Sequence, residues 1–410
     1  MTSSAIKVIP EMSPNSFSFV GSRIEAMTFH PFEANSFAVA RPKPEELPVM
    51  KIVLIASYLP STGKTAPGLQ EEIISRATAY EKLKAMKAAW YERQGAARDV
   101  LVVGEMEDPQ PSAGDVRIRV AFSGVNPGDV KKREDAFGVG MPYPRVIPHS
   151  DGAGTVDAVG DGVSRDWVGR RVWCYGAQSY RAFGTAAEYT VVPLKQVVQL
   201  PEGASLEQGA CLGIPGITAH RAVHVAGSIK GQTVLVQGGA GAVGACAVQL
   251  AHQAGARVIA TCRSENDKQI ASRAGADEVL LTGDKLGERI RALAPDGVDH
   301  IVEVAFGANI KTDTKVLAEG GSIATYATNA PMPEIPVWEL VFVNARLFFV
   351  GSDDVPAEAK IEATRDISLA LEAGWKGLDI GEIVPLNQIA RAHELVEHPS
   401  KPGRVVVAIN

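Results

Sequence analysis

Thr233-Val-Leu-Val-Gln-Gly-Gly-Ala-Gly-Ala-Val-Gly244 is the stretch on which the reading of this chain turns. The run Thr233–Gln237 is apolar and β-branched, as a buried strand requires. It leads into Gly239, Gly241 and Gly244 at G-x-G-x-x-G spacing, and Ala245–Ala254 continues with helical periodicity. A second strand pattern opens at Arg257. In a strand–turn–helix–strand context each glycine has a task. The first makes the turn, the second lets a diphosphate approach the backbone, and the third lets helix and strand pack closely. The helix start then aims unpaired N–H groups and a positive dipole end at the phosphates.

The residue closing the second strand selects the nicotinamide dinucleotide, because an acidic side chain there holds a ribose 2′-hydroxyl. This chain has Thr261-Cys262-Arg263-Ser264 instead. A guanidinium and a hydroxyl suit a 2′-phosphate, so the expected cofactor is NADPH rather than NADH. Glu265, one position later, keeps an NADH reading open but is expected to begin the next helix.

Outward from this unit the pattern alternates. Strands are expected at Glu278–Leu281, His300–Val304, Gly321–Tyr326 and Arg346–Val350, with helices at Ser264–Ala274 and Leu286–Leu293. A helix is also expected at Ser205–Ala226. Alternation at βα spacing demands a doubly wound parallel sheet. Upstream, MKAAWYE, DVRIRVAFSGVN, GAGTVDAVGDGV, RRVWCYG and AAEYTVV are short β-rich runs punctuated by glycine, the texture of a small antiparallel domain. After Ala357 come a helix, a second helix around Leu386–His398 and a closing strand, Arg404–Ile409. The fold class is therefore α/β with a separate, mostly β domain.

The chain has 410 residues, 46% hydrophobic and 21% charged, the profile of a globular protein with room for two or three domains. A net charge of −6, with dispersed basic residues, disfavours a nucleic-acid surface and favours a small-molecule partner. Four widely spaced cysteines without a C-x-x-C pair point to reduced thiols in a cytoplasmic protein. The apolar run Ile52–Ile55 is far short of the ~20 residues that span a bilayer. Residues 1–85 lack periodicity apart from that run and a helix pattern at 69–83. Ser61–Thr65 resembles the end of a phosphate loop, but Tyr58 stands where its glycine is needed, so it reads as a polar loop.

Six segments together resemble the quinone oxidoreductase and zeta-crystallin branch of the medium-chain dehydrogenase/reductase superfamily. They are GVNPGDVKKR (124–133), PHSDGAGTVDAVGDGV (148–163), AEYTVVP (187–193), GIPGITAHRAV (213–223), VLVQGGAGAVG (234–244) and EGGSIATYAT (319–328). The resemblance runs from Met86 to Asn410 and also touches the alkenal and enone reductases. It implies a GroES-like, mostly β catalytic domain in two parts (86–210 and 353–410) around a Rossmann domain (211–352). Residues 1–85 would be an extension or leader, with Met86 a plausible natural start. Relatives pair their Rossmann sheets edge to edge, which implies a homodimer. For Arg346–Val350 both an edge and a buried central position remain open.

By this resemblance Asn126 lies beside the nicotinamide ribose. Lys131 would hold that ribose or polarise the substrate carbonyl, its alternative being a solvated lysine beside Lys132 and Arg133. Ala240, Gly241, Ala242 and Val243 would meet the diphosphate, and Arg263 and Thr282 the adenosine ribose. Thr218, Tyr326, Ala327, Thr328, Val350, Gly351 and Ser352 would flank the nicotinamide. Phe137 and Tyr143 are candidate walls for a flat substrate.

Zinc-dependent relatives need thiolate and imidazole ligands. Here Asn126 stands in the first cysteine's place, Ser150-Asp151 in the His-Glu place, and the cysteine-rich lobe is missing. The expectation is no catalytic metal. His149 is read as a loop or domain-interface residue. His220 and His224 have helix-ligand spacing, but Arg221 replaces a metalloprotease glutamate, and they are read as helix-surface residues. Without a Lewis acid a conjugated acceptor is favoured, a quinone or an α,β-unsaturated carbonyl. The alternatives are an enoyl-thioester reductase and a non-catalytic, crystallin-like NADPH-binding protein.

Overall fold

The computed structural model describes residues 85–409. The expectations for the apolar run at 52–55, the loop at 61–65 and the helix at 69–83 lie outside the described residues.

The described chain begins with β1 (Ala85–Trp90) and β2 (Val102–Glu107), an antiparallel ribbon joined through the short helix α1 (Ala97–Val100). Next come β3 (Asp115–Gly124), α2 (Pro127–Glu134), β4 (Asp151–Val159), β5 (Arg171–Cys174), β6 (Tyr189–Pro193) and β7 (Val197–Gln199). In β3 the residues Val116, Ile118 and Val120 are buried while Arg117 and Arg119 are not, the two-residue period that packs one face of a pleated strand.

The single helix expected over Ser205–Ala226 is two, α3 (Leu206–Gly209) and α4 (Gly213–His224). Ser205 starts the first through a capping box with Gln208. The break at 210–212 is a tertiary effect. Ala210 is pressed against Gly124, where a Cβ would sit 2.0 Å from its carbonyl oxygen, and the restart frees the Ile214 N–H for a buried carboxylate described below.

From there strands and helices alternate: β8 (Thr233–Val236), α5 (Ala242–Gln253), β9 (Arg257–Cys262), α6 (Glu265–Arg273), β10 (Glu278–Leu281), α7 (Leu286–Leu293), β11 (Val298–Glu303), α8 (Phe306–Val316), β12 (Leu317–Thr325), α9 (Val337–Phe342) and β13 (Arg346–Phe349). Their spatial order is β10-β9-β8-β11-β12-β13 with every neighbouring pair parallel, the Rossmann order. Successive residues of β8 feed opposite faces. Val234 and Val236 pack with Ile217, Val248 and Ile367, while Leu235 packs with Ile259, Ile301 and Ile310. Burial on both faces explains why these strands are continuously apolar rather than alternating. Strand β13 lies at the edge, which settles the position left open for Arg346–Val350.

The chain ends in α10 (Ala357–Glu372), β14 (Ile380–Pro385), α11 (Ile389–Glu397) and β15 (Arg404–Ala408). Strand β15 pairs antiparallel with β3, and β14 runs parallel to β15. The β-rich sheet, ordered β14-β15-β3-β4-β5-β7 with β6 also on β3, is thus completed by strands from the last thirty or so residues. Among the described residues no helix is long and apolar enough to cross a membrane.

Candidate active site and dinucleotide cleft

The strand order reverses at β8 and β11, and ligands in open parallel sheets bind outside the carboxyl ends of the strands at such a point. The glycine turn lies there. Gly238 has φ +70°, the left-handed region glycine enters without cost. A Cβ on Gly239 would lie 2.8 Å from that of Ala260, and one on Gly244 only 2.1 Å from the Gly238 carbonyl oxygen. Gly241 caps α5, and a Cβ there would meet only the Gly238 carbonyl oxygen, at 3.3 Å. Thr261 pins the turn, accepting from the Gly238 N–H at 3.1 Å and donating to Gln237 Oε1 at 2.6 Å. The Gln237 amide in turn donates to Asp313 Oδ1 at 2.7 Å. Asp313 and Glu303 are both fully buried; burial raises both carboxyls, and the neighbouring Glu303 charge raises Asp313 further.

A cleft of about 860 Å³ opens over this turn. Ala240, Gly241 and Ala242 form its floor, Arg263 and Thr282 one end, Val304, Ala305 and Asn309 the path along β11. Val125, Pro127, Arg404 and the segments at 378–382 and 399–403 close it from the β-rich lobe. Arg263 is exposed, and Ser264 caps α6 by accepting from the Asp267 N–H at 3.2 Å. The volume, the backbone that a Cβ would obstruct, the helix start and the free guanidinium fit a dinucleotide carrying a 2′-phosphate.

Asn126 lies between the wall residues Val125 and Pro127, itself 2% exposed and fully engaged behind the cleft surface. Its amide donates to Asp151 Oδ2 at 2.8 Å, its carbonyl oxygen accepts from Arg404 Nη2 at 2.8 Å, and its backbone N–H reaches Asp129 Oδ2 at 2.8 Å. Asp151 also accepts from the Ile214 N–H at 2.9 Å, so the carboxylate lies at the start of α4. Gly213 is what lets it in, since a Cβ there would meet Asp151 Oδ1 at 2.1 Å. Burial pushes Asp151 up to about 7 and Asp129 to about 6, against the hydrogen bonds and positive charges that favour their ionised forms.

This donor set does not fit zinc. The carboxamide and carboxylate at the expected ligand positions are bonded to each other and to a guanidinium. His149 is buried with φ +77°. Its Nδ1 meets Ser123 Oγ at 2.7 Å and its Nε2 meets His393 Nε2 at 3.1 Å. It lies on the loop before β4, as read, but is fully buried in the β-rich lobe and held neutral by that burial, with its pKa lowered to about 3. The reading of His220 as a surface residue fails: it is 4% exposed, because α4 is covered by α10.

The other predicted residues are distributed along this edge of the sheet. Pro127, Lys131 and Glu134 share the exposed face of α2 at i, i+4 and i+7, so Lys131 stands one turn beyond the cleft wall and makes no ion pair among the described residues. Lys132 instead pairs with Asp353 at 2.8 Å. Ser179 donates to the same aspartate at 2.5 Å and Tyr180 to Asp354 at 2.7 Å, tying the β-rich lobe to the segment after β13. Val350, Gly351 and Ser352 lead into that clamp. Tyr326, Ala327 and Thr328 follow β12, with the Tyr326 N–H on the Glu303 carbonyl at 3.2 Å. Thr218 is buried and donates back to the Ile214 carbonyl at 2.6 Å. Phe137 is 58% exposed, and Tyr143 donates to the Tyr180 carbonyl at 2.5 Å. Pro127 apart, none of these side chains lines the cleft itself.

Arg404, Asp151 and Asp129 were missed as site residues. Arg404 has no sequence signal, because only the pairing of β15 with β3 brings it to Asn126. The other two lie within motifs already read, but their burial does not show in one dimension.

Residues 112–202 match the alcohol dehydrogenase GroES-like domain, and residues 242–361 match the zinc-binding dehydrogenase family. Mouse (Mus musculus) quinone oxidoreductase is 33% identical over 311 residues, covering 73% of this chain and 91% of that protein. The human (Homo sapiens) quinone oxidoreductase is 29% identical over 332 residues, covering 80% and 98%. A mycobacterial structure in complex with NADPH superposes with a TM-score of 0.68 at 26% identity, over 79% of this chain and all of that one. With its Rossmann sheet, its GroES-like lobe and this likeness, the chain is an oxidoreductase of the medium-chain dehydrogenase/reductase superfamily and belongs to the quinone oxidoreductase branch.

Proposed function

We propose that this protein uses NADPH to reduce a quinone or an α,β-unsaturated carbonyl, without a catalytic metal. The observation that carries this is the Asn126–Asp151–Arg404 network, which fills the place of a zinc centre with groups already satisfied by one another. A simple alcohol needs a Lewis acid to activate its oxygen, whereas a conjugated acceptor is electrophilic by itself. NADPH, when bound, supplies the hydride. The glycine turn and the start of α5 hold its diphosphate, and Arg263 with Ser264 holds the 2′-phosphate. Asn126, rigid between two partners, fixes the wall against which the nicotinamide ribose rests. Lys131, on the exposed face of α2 one turn beyond the cleft wall, is the residue assigned to stabilise the oxyanion that develops on the acceptor.

The test is a panel of 9,10-phenanthrenequinone, an alkenal and an enoyl thioester with NADPH and with NADH. Turnover of either of the first two with NADPH is expected, and its absence with all three would end the proposal. Replacing Lys131 with Met is expected to lower kcat with the preferred acceptor, and unchanged kcat and KM would remove that residue's role.

The proposal extends to a cytoplasmic homodimer. The four cysteines are buried and unlinked, as in a reducing compartment. Edge strand β13 carries Phe349, 70% exposed, and the preceding helix α9 exposes Trp338 and Phe342, apolar groups that a second copy would cover. Light scattering on Phe349→Glu, which should yield monomer, tests it.

A further inference from the structure

The last two turns of α4 carry His220 and His224 on one face, and Asp366 of α10 faces them. His220 Nε2 and Asp366 Oδ2 are 3.0 Å apart, and the two imidazole centroids are 4.5 Å apart. One ligand atom from each of the three residues lies within 4.8 Å of the others, the only such trio of histidine, cysteine or acidic residues among the described residues. We propose that His220, His224 and Asp366 form a divalent transition-metal site, suited to Zn²⁺, at the seam between α4 and α10 and away from the dinucleotide cleft.

The donor types fit. Two imidazoles and a carboxylate are a zinc set, leaving one position for water. The geometry fits as well. Ligand atoms around a tetrahedral zinc with bonds of about 2.0–2.1 Å lie roughly 3.4 Å apart, so a side-chain rotation closes the trio without moving either helix. Neither imidazole competes as a cation, for burial lowers both, and the neighbouring His220 helps bring His224 down to about 4. Neutral ring nitrogens are what a metal needs. Burial acts to raise Asp366, but hydrogen bonds from His220 and Arg365 outweigh it and keep the carboxylate ionised. Arg365 approaches Asp366 Oδ1 at 3.0 Å, leaving Oδ2 toward the histidines. A bound ion would replace the His220–Asp366 hydrogen bond with a three-point link between helices that otherwise meet through small residues such as Gly216 against Ile367.

The experiment is titration of tag-free protein, dialysed against a chelator, with Zn²⁺ by calorimetry and with Co²⁺ by visible absorption. One equivalent per chain is expected, together with the d–d bands of four-coordinate Co²⁺ and a rise in Tm on adding Zn²⁺, since the ion binds only the folded form. His224→Gln and Asp366→Asn should each weaken binding by at least about tenfold and abolish the rise in Tm, while His398→Gln, on the surface elsewhere, should not. Failure to bind one equivalent, or binding that survives both seam replacements, would overturn the site.

Discussion

Arg404 Nη2 donates to Asn126 Oδ1 at 2.8 Å, so a residue near the end of the chain holds a residue that follows its third described strand. The two are 278 positions apart and meet because β15 pairs with β3. Arg404 also lines the dinucleotide cleft. The stability of the β-rich sheet and the shape of the cofactor wall are therefore linked through one guanidinium.

Replacing Arg404 with Met should show that link. The change leaves Asn126 Oδ1 buried without a donor, which costs about 2 kcal/mol of stability. It also lets the carboxamide swing, and a misplacement near 1 Å lowers kcat/KM by up to about a hundredfold. Chemical denaturation and NADPH turnover read the two effects separately. Wild-type kcat/KM in the folded variant would show that Asn126 needs no such anchor.

Gly244 and Gly241 separate packing from ligand access. A Cβ at Gly244 would collide with the Gly238 carbonyl at 2.1 Å, so Gly244→Ala must push α5 away from β8 and should lower Tm. At Gly241 the nearest atom to a Cβ is 3.3 Å away, so Gly241→Ala should fold normally yet bind NADPH at least about tenfold more weakly, its methyl standing where the diphosphate approaches. Fluorescence titration with NADPH on both variants checks this, and equal affinities for Gly241→Ala and wild type would move the diphosphate elsewhere.

Arg263 is exposed, with no hydrogen-bond partner among the described residues, as a guanidinium reserved for a ligand phosphate would be. Arg263→Ala should raise KM for NADPH by about ten- to a hundredfold, the worth of a charge-assisted hydrogen bond, and leave KM for NADH unchanged. Steady-state kinetics with both cofactors decide it: equal effects would mean that the residue does not read the 2′-phosphate.

The Rossmann unit was legible because its signals are local. Glu278–Leu281 and Leu286–Leu293 were bounded to the residue, and the glycine turn carries its own geometric reasons. β14 was not foreseen, since Ile380–Pro385 is a short strand holding a glycine and a glutamate, and it exists through its pairing with β15. The broken helix at 210–212 and the buried His149 and His220 share one cause. Each is set by a contact distant in sequence, with Gly124, His393 and Asp366 respectively, and periodicity within a segment carries no trace of such a partner.

His300 gives a pH dependence with a defined sign. On β11 it is nearly fully buried, its Nε2 donating to the Ala222 carbonyl at 2.7 Å and its Nδ1 meeting Ser322 Oγ at 2.8 Å. Burial lowers its pKa from 6.5 to about 4. Above pH 6.5 the side chain is neutral in both folded and unfolded chains and stability does not depend on it. As pH falls from 6.5 toward 4 the unfolded chain takes up a proton that the folded one refuses, so stability is lost across that window, on the order of 3 kcal/mol in full. His300→Gln keeps a donor and an acceptor but cannot titrate. Its stability, measured by denaturant unfolding at intervals of pH, should fall less steeply than that of the wild type between pH 6.5 and 4. Parallel profiles would mean that His300 is already protonated in the folded protein.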